Sequence, residues 1–262
     1  MGAGVIELKS APEIERMREA GRVVAGLLKH LAAMVEPGLK TKALDDEARA
    51  YLRRSGAAPA FLGYRGFPAS VCVSVNEEVV HGIPGARLIG AGDVVSIDAG
   101  AVVDGWYADA AMTVIVGQGS PHVKRLVETT REALNLGIGQ AVAGHRLSDI
   151  SHAVQERVER DGFGVVREFV GHGIGRALHE DPPIPNFGPP QMGPRLEAGM
   201  VLAIEPMVTM GGPEVEVLGD GWTAVTKDRS LAAHFEHTVA ITDRGTEVLT
   251  SLYDLTRGAK VS

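Results

Sequence analysis

Two related phrases in this chain each lead to an acidic residue. Residues 91–98 read AGDVVSID and residues 198–205 read AGMVLAIE, so Asp98 in the first phrase corresponds to Glu205 in the second. The Val, Ile and Leu residues before each acid predict a short β-strand. A buried strand tolerates a carboxylate only when the carboxylate is paired or bound to a metal ion. The two phrases therefore predict a metal site that two related strands share.

Three further ionisable residues interrupt apolar stretches. Asp109 lies in WYADAA, His172 in FVGHGIG and Glu236 in HFEHTVAIT. One such residue alone most often ends a strand or lies in a loop. Together with Asp98 and Glu205, however, they form a set of four carboxylates and one imidazole, which cannot be buried together without cations. Two divalent ions would balance the four charges, and the oxygen-rich set with one nitrogen favours Mn, Fe, Co or Zn.

The rest of the chain shows the same duplication. Residues 38–56 and 144–162 both begin and end with Gly and carry apolar residues at helical spacing between them. The period is too long for a solenoid repeat. We therefore expect one catalytic domain over residues 1–262, built from two pseudo-symmetric halves of about residues 10–120 and 121–250.

Hydrophobic periodicity predicts the elements that position these residues. Helices are expected at residues 11–34, 41–55, 121–139 and 147–161. Strands are expected at 71–75, within FVGHGIG, and at 200–209, 214–218, 222–226 and 235–242, with a hairpin over 93–116. The Pro-rich segment 181–190, DPPIPNFGPP, predicts a rigid, exposed loop.

Composition excludes several functional classes. The net charge of −7 argues against a general binder of nucleic acids or anionic membranes, and no apolar run reaches the length of a membrane span. No signal peptide opens the chain. Cys72 is the single cysteine, which rules out an internal disulfide and a zinc site with several thiolates. We therefore expect a cytoplasmic location.

Longer phrases around these residues resemble a known family. GYRGFPASVCVSVNEEVVHGIP, SIDAG, GHGIGRALHEDP, AIEPM and DGWTAVTKDRSLAAHFEHTVAIT occur in the order found in bacterial type I methionine aminopeptidases of peptidase family M24. The resemblance extends from about residue 10 to 250 and is to the shortest form, without an N-terminal extension. It implies an α+β protein with the pita-bread fold of creatinase and the aminopeptidases.

The resemblance implies an activity and a role for each candidate ligand. The activity is metal-dependent removal of the initiator methionine from nascent proteins and peptides with a small second residue. Asp98 would chelate one of two divalent metal ions and His172 the other, while Asp109 and Glu236 bridge them. Glu205 would ligate the His172 metal and transfer a proton from the water that attacks the scissile carbonyl.

The resemblance also implies residues that contact the substrate. His179 would contact the scissile carbonyl, and His81 the peptide near the metal site, so both are candidate catalytic and substrate-binding residues. The walls of the methionine pocket are expected to include Tyr64, Phe67, Cys72 and Trp222. Four residues depart from the pattern of the best-known bacterial members: Phe61, Phe67, Leu178 and His234 stand where Cys, Tyr, Phe and Gln are expected.

Two other functions remain open at the level of the sequence. One is an Xaa-Pro aminopeptidase or dipeptidase of the same fold, although those enzymes usually carry a longer N-terminal domain. The other is a non-enzymatic pita-bread protein that binds ribosomes or RNA, although none of the five ligands is missing. For the leading interpretation we expect a monomer that acts on nascent polypeptide or peptide N-termini, with the ribosome surface as a candidate partner. No nucleic-acid specificity and no membrane partner are expected.

Overall fold

The computed structural model describes residues 5–251. Its helices are α1 (Ala11–Met34), α2 (Thr41–Arg54), α3 (Pro121–Gln140) and α4 (Leu147–Arg160), with a 3₁₀ turn at Tyr64–Gly66. Its strands are β1 (Ala58–Pro59), β2 (Val71–Val75), β3 (Glu78–Val80), β4 (Val94–Val103), β5 (Trp106–Ile115), β6 (Gly164–Val165), β7 (Gly171–Gly173), β8 (Glu180–Ile184), β9 (Val201–Ile204), β10 (Met207–Thr209), β11 (Val215–Val217), β12 (Ala224–Thr226), β13 (Ala232–His234), β14 (Glu236–Thr242) and β15 (Gly245–Val248).

The helices begin where the sequence predicts. Ser10 caps α1, and its backbone N–H donates to Glu13 Oε2 at 2.9 Å, as expected for a capping box. Pro12 lies in the first turn, where its missing N–H costs nothing. The apolar face of α1 packs on β4 and β5, and α3 packs against α4. None of the helices within residues 5–251 is both long and apolar enough to cross a membrane.

One antiparallel sheet organises the molecule. Its strand order is β1-β4-β5-β14-β9-β7-β8, with β2 added to β4 and β15 added to β14. Two three-stranded sheets, β13-β10-β6 and β11-β12-β3, lie beside it in the described chain. The hairpin expected over 93–116 is confirmed as β4 and β5, which pair from Val94 with Ile115 to Val103 with Trp106.

Three details differ from the sequence-based expectation. β4 does not end at Asp98 but continues to Val103, so this carboxylate lies inside the strand. The strand expected at 200–209 is divided into β9 and β10, because Pro206 cannot donate a ladder hydrogen bond. The first part of the Pro-rich segment is not a loop: β8 pairs with β7 and buries Pro182 and Ile184.

Candidate active site

The strand register brings the first three candidate ligands into line. Asp98 on β4 lies opposite Ala111 on β5, and Ala111 lies opposite Glu236 on β14. Cys72 on β2 is the partner of Asp98 on its other side. Side chains at paired positions of neighbouring strands point to the same face of a sheet. Cys72, Asp98 and Glu236 therefore lie in one row across the sheet.

A second row runs parallel to the first, two residues away. Asp109 is two residues before Ala111 on β5 and so faces the same side. The Thr238 hydroxyl on β14 donates to Asp109 Oδ1 at 3.0 Å, and Thr238 pairs with Ala203, which pairs with His172. The register thus places Asp109 and His172 on the face that carries Asp98 and Glu236.

Glu205 completes the group from the end of β9. It follows Ile204, whose partner on β14 is His237, next to Glu236. Its backbone carbonyl accepts a hydrogen bond from the Asn186 amide at 2.9 Å, which fixes the chain at this point. All five predicted ligands therefore lie on one face of a single sheet.

The distances between these side chains suit a shared cation. One ligand atom from each of Asp109, His172 and Glu236 lies within 4.8 Å of the others. The His172 Nδ1–H donates to the Gly173 carbonyl at 2.9 Å, so the neutral ring presents its Nε2 lone pair. That nitrogen lies 3.4 Å from Asp109 Oδ2 and 3.7 Å from Glu205 Oε1.

The electrostatics of the group also indicate cations. Burial, together with repulsion from Asp109 and Glu205, raises the pKa of Asp98 and of Glu236 well above the usual range. Burial would lower the pKa of His172, but attraction to Asp109 and Glu205 outweighs it and raises that pKa to about 9. The buried Asp98 Oδ1 has no hydrogen-bond partner among the described residues. Without cations these carboxylates are driven toward their neutral forms, and their free oxygen atoms fit divalent metal ions.

The two candidate catalytic histidines flank this group. The His179 ring lies beside that of His172, with centroids 4.1 Å apart and ring planes tilted by 41°, and its Nδ1 lies 2.9 Å from the Tyr64 hydroxyl. Partial burial and the neighbouring His172 lower the pKa of His179 to about 4. His81 has a left-handed backbone with φ of 61°, an uncommon conformation that is found at functional sites. Burial and the neighbouring His234 lower its pKa to about 4.

A cavity of about 170 Å³ opens beside the acidic group. For comparison, an apolar cavity of about 150 Å³ holds a molecule the size of benzene. The cavity is lined by all eleven residues predicted for the site, namely Tyr64, Phe67, Cys72, His81, Asp98, Asp109, His172, His179, Glu205, Trp222 and Glu236. Phe67 and Trp222 meet edge to face with centroids 5.1 Å apart. Burial and the nearby Asp98 raise the pKa of the Cys72 thiol well above its usual value, so Cys72 is a packed wall residue.

The four residues that differ from the family pattern divide into two groups. Phe61 and Leu178 line the cavity with Phe67, so they shape it directly. His234 does not line it and is buried behind Glu205. Sequence reasoning missed four further lining residues, Arg65, Val80, Phe169 and Val170. Each is within three residues of a predicted site residue along the chain. This closeness in sequence is the one feature by which they could have been predicted.

Comparison with known proteins agrees with this geometry. The model of metallopeptidase family M24 matches residues 15–243. The chain therefore belongs to metallopeptidase family M24.

Within that family, methionine aminopeptidase 1 of Bacillus subtilis is 53% identical over 246 residues, which cover 94% of this chain and 99% of the relative. A crystal structure of methionine aminopeptidase from Thermotoga maritima is 49% identical, with a TM-score of 0.93 over 94% of this chain and 100% of the other. The chain is thus a member of the methionine aminopeptidases.

A more distant comparison concerns the fold alone. Prolidase from Pyrococcus furiosus superposes with a TM-score of 0.77 at 22% identity, over 93% of this chain and 65% of that chain. The expected pita-bread fold is confirmed, and with it the mixed architecture of helices and a curled sheet. The identities of 53% and 49% to methionine aminopeptidases over nearly the whole chain do not favour the Xaa-Pro alternative.

Proposed function

We propose that this protein removes the N-terminal methionine from proteins and peptides whose second residue is small. One observation carries the proposal. Four carboxylates and a histidine lie on one face of the sheet, at a cavity that also has apolar walls and has room for a single side chain. The names of the similar proteins supply the identity of that side chain.

Two divalent metal ions would be held by Asp98, Asp109, His172, Glu205 and Glu236. When bound, such ions lower the pKa of water, polarise a carbonyl and neutralise the buried carboxylates. An oxygen-rich set with one imidazole suits Co, Mn, Fe and Zn, so the choice among them would depend on metal supply. Glu205, which lines the cavity, would accept and return a proton during hydrolysis.

His179 and His81 would contact the peptide. Because the pKa of each is lowered to about 4, both rings are neutral near pH 7 and can donate or accept a single proton. When the Tyr64 hydroxyl donates to Nδ1 of His179, the ring proton lies on Nε2, which is then the donor for the scissile carbonyl. His81 packs edge to face on Phe169 and so is held beside the substrate's path.

The cavity walls would select methionine, and the histidines would limit the second residue. Phe67, Cys72 and Trp222 provide apolar and sulfur-bearing surface, which suits a flexible thioether. The second side chain must pass beside His81 and His179, where bulk would move the carbonyl away from its position. A displacement of about 1 Å can cost about 10²-fold in rate.

The partners and location follow from the proposed reaction. The substrates are N-termini of nascent polypeptides and peptides, so we place the enzyme in the cytoplasm, with the ribosome surface as a candidate docking site. The single, buried Cys72 is compatible with a reducing compartment. We propose that the chain acts as one catalytic domain and as a monomer.

The test compares four peptides in chelated enzyme and in enzyme reconstituted with metal. Met-Ala-Ser should be cleaved rapidly only with metal, whereas Met-Leu-Ser, Leu-Ala-Ser and an Xaa-Pro peptide should be cleaved at least about 10²-fold more slowly. Equal cleavage of the first three would identify a broad aminopeptidase. Preference for the Xaa-Pro peptide would favour a prolidase, and inactivity with every metal would favour a binding protein.

A matched pair of variants tests the ligand assignment. Asp98→Asn should lower kcat/KM by at least about 10²-fold and weaken metal binding measured by calorimetry. Asp104→Asn is the control, because Asp104 is exposed in the turn of the same hairpin and Asn tolerates its positive φ of 49°. Equal activity of the two variants would remove Asp98 from the site.

A further inference from the structure

His234 is a buried histidine whose ring has no described partner. It is the last residue of β13 and is 1% exposed. Neither Nδ1 nor Nε2 has a hydrogen-bond partner among the described residues. A buried polar atom without a partner is costly, so this arrangement requires a reason.

The nearest candidate partner is Glu205. Nε2 of His234 lies 3.6 Å from Glu205 Oε2, while Nε2 of His172 lies 3.7 Å from Glu205 Oε1. The two carboxylate oxygens therefore face different imidazoles. A neutral imidazole with its proton on Nε2 needs an acceptor, and a small side-chain rotation to about 2.9 Å would make Oε2 that acceptor.

The backbone around His234 is fixed on two sides. His234 pairs with Met207 on β10, which begins two residues after Glu205. On the other side, its N–H donates to the Thr113 hydroxyl at 2.9 Å, and its carbonyl accepts from that hydroxyl at 2.7 Å. The ring and the carboxylate are thus carried by adjacent strands in a fixed register.

We propose that His234 is a positioning residue for Glu205. Its Nε2–H donates to Oε2, and Oε1 is thereby directed toward His172 and the metal ions. This inference rests on the proposed function, in which Glu205 binds metal and moves a proton. A role as a direct ligand fits less well, because His234 does not line the cavity, whereas all five candidate ligands do.

Two substitutions distinguish the effect of losing the hydrogen bond from the effect of losing the volume of the ring. His234→Gln keeps an amide donor, whereas His234→Leu fills similar space without one. His237→Leu is the control: His237 is a partly buried histidine that alternates to the opposite face of β14, where its Nδ1 lies 2.9 Å from the Thr250 hydroxyl. For each variant, Mn²⁺ affinity is measured by calorimetry, and kcat and KM are measured on Met-Ala-Ser.

The two His234 variants should differ. His234→Leu should lower kcat at least about 10-fold and weaken Mn²⁺ binding about 10-fold, with KM changed less than about threefold. His234→Gln should remain within about threefold of the natural enzyme in all three quantities. Equal behaviour of the Gln and Leu variants, or of His234→Leu and His237→Leu, would overturn the proposal.

A spectroscopic test observes the His234 tautomer in the natural protein and uses the His234→Gln variant only to assign the signal. ¹⁵N NMR of the histidine rings, recorded with Zn²⁺ bound, should show one Nε2–H proton in slow exchange with solvent that is missing in His234→Gln. An Nδ1–H tautomer, or Zn²⁺ coordinated by Nε2 of His234, would contradict the proposal. These NMR results do not depend on which peptide the enzyme cleaves. Failure of the His234 proposal can therefore be distinguished from failure of the proposed function.

Discussion

Protein stripped of metal by a chelator should lose stability as pH rises from 7 to 8. His172, with a pKa raised to about 9, holds a proton in the folded state that the unfolded chain releases, and the raised pKa values of Asp98 and Glu236 act in the same direction. Unfolded histidine titrates near pH 6.5 and unfolded carboxylates near pH 4. A raised folded-state pKa contributes stability below the unfolded pKa, and this stability is lost as pH rises toward the folded value.

The window of pH 7–8 separates the effect of His172 from that of the histidines whose pKa values are lowered. His81, His179 and His237 have folded pKa values near 4, so above pH 7 they are largely neutral in both states. Each extra proton bound by the folded state costs about 1.4 kcal/mol per pH unit. One or two such protons correspond to a fall in melting temperature of roughly 3–10 °C per pH unit, at about 2–4 °C per kcal/mol for a protein of this size.

The assay is thermal unfolding by circular dichroism at pH 7.0, 7.5 and 8.0, with chelator and with saturating Mn²⁺. The slope of melting temperature against pH should be negative with chelator and much closer to zero with Mn²⁺, because the cations replace the protons. Asp98→Asn should reduce the slope in chelator, while the control His237→Leu should leave it unchanged. A melting temperature that is constant or rises between pH 7 and 8 in chelator would refute the electrostatic argument.

Three further predictions concern single residues. His179→Ala should lower kcat by about 10²-fold while calorimetry still detects metal binding, and an unchanged kcat would reduce His179 to a structural residue. Gly173→Ala should destabilise by about 1–3 kcal/mol in urea unfolding, because its Cβ would lie 2.1 Å from a backbone oxygen of β8; Gly139→Ala, with open space around it, is the control and should not destabilise. Asp161→Asn should lower the free energy of unfolding by about 1 kcal/mol, after allowing for solvent screening. The reason is that hydrogen bonds from Arg125, Thr129 and Arg157 hold the pKa of Asp161 below its usual range. Equal stability of the variant and the natural protein at pH 7 would contradict this.

The residues of the candidate site could be predicted from the sequence because each acid interrupts an apolar strand. Burial makes an isolated carboxylate so unfavourable that Asp98, Glu205 and Glu236 point to a ligand even before their contacts are known. The helices could be predicted from the sequence as well, since α1 carries both a capping box and a regular apolar face. The assignment of the acidic residues as metal ligands, in contrast, stays a proposal.

The pairing of strands could not be read from the sequence. Neither the row from Cys72 to Glu236 nor the hydrogen bonds of Thr238 to Asp109 follow from local patterns, because they join residues far apart in the chain. β8 was predicted as a loop because three prolines in DPPIP lower strand propensity. In the structure β8 is at the end of the sheet path, where a strand tolerates proline.

The same alternation along the strands builds both the core and the candidate site. Ile97 and Ala99 flank Asp98, and Ala110 follows Asp109; these apolar neighbours point to the opposite face, where they pack in the cluster that includes α1. A shift of one residue in the β4–β5 register would reverse the faces of the shifted strand, so that its acid would be buried under α1 and its apolar residues would face the cavity. Packing of α1 therefore specifies the register, and the register in turn holds the carboxylates together against their mutual repulsion. The concentration of negative charge that favours metal binding is thus maintained by hydrophobic contacts on the other side of the sheet.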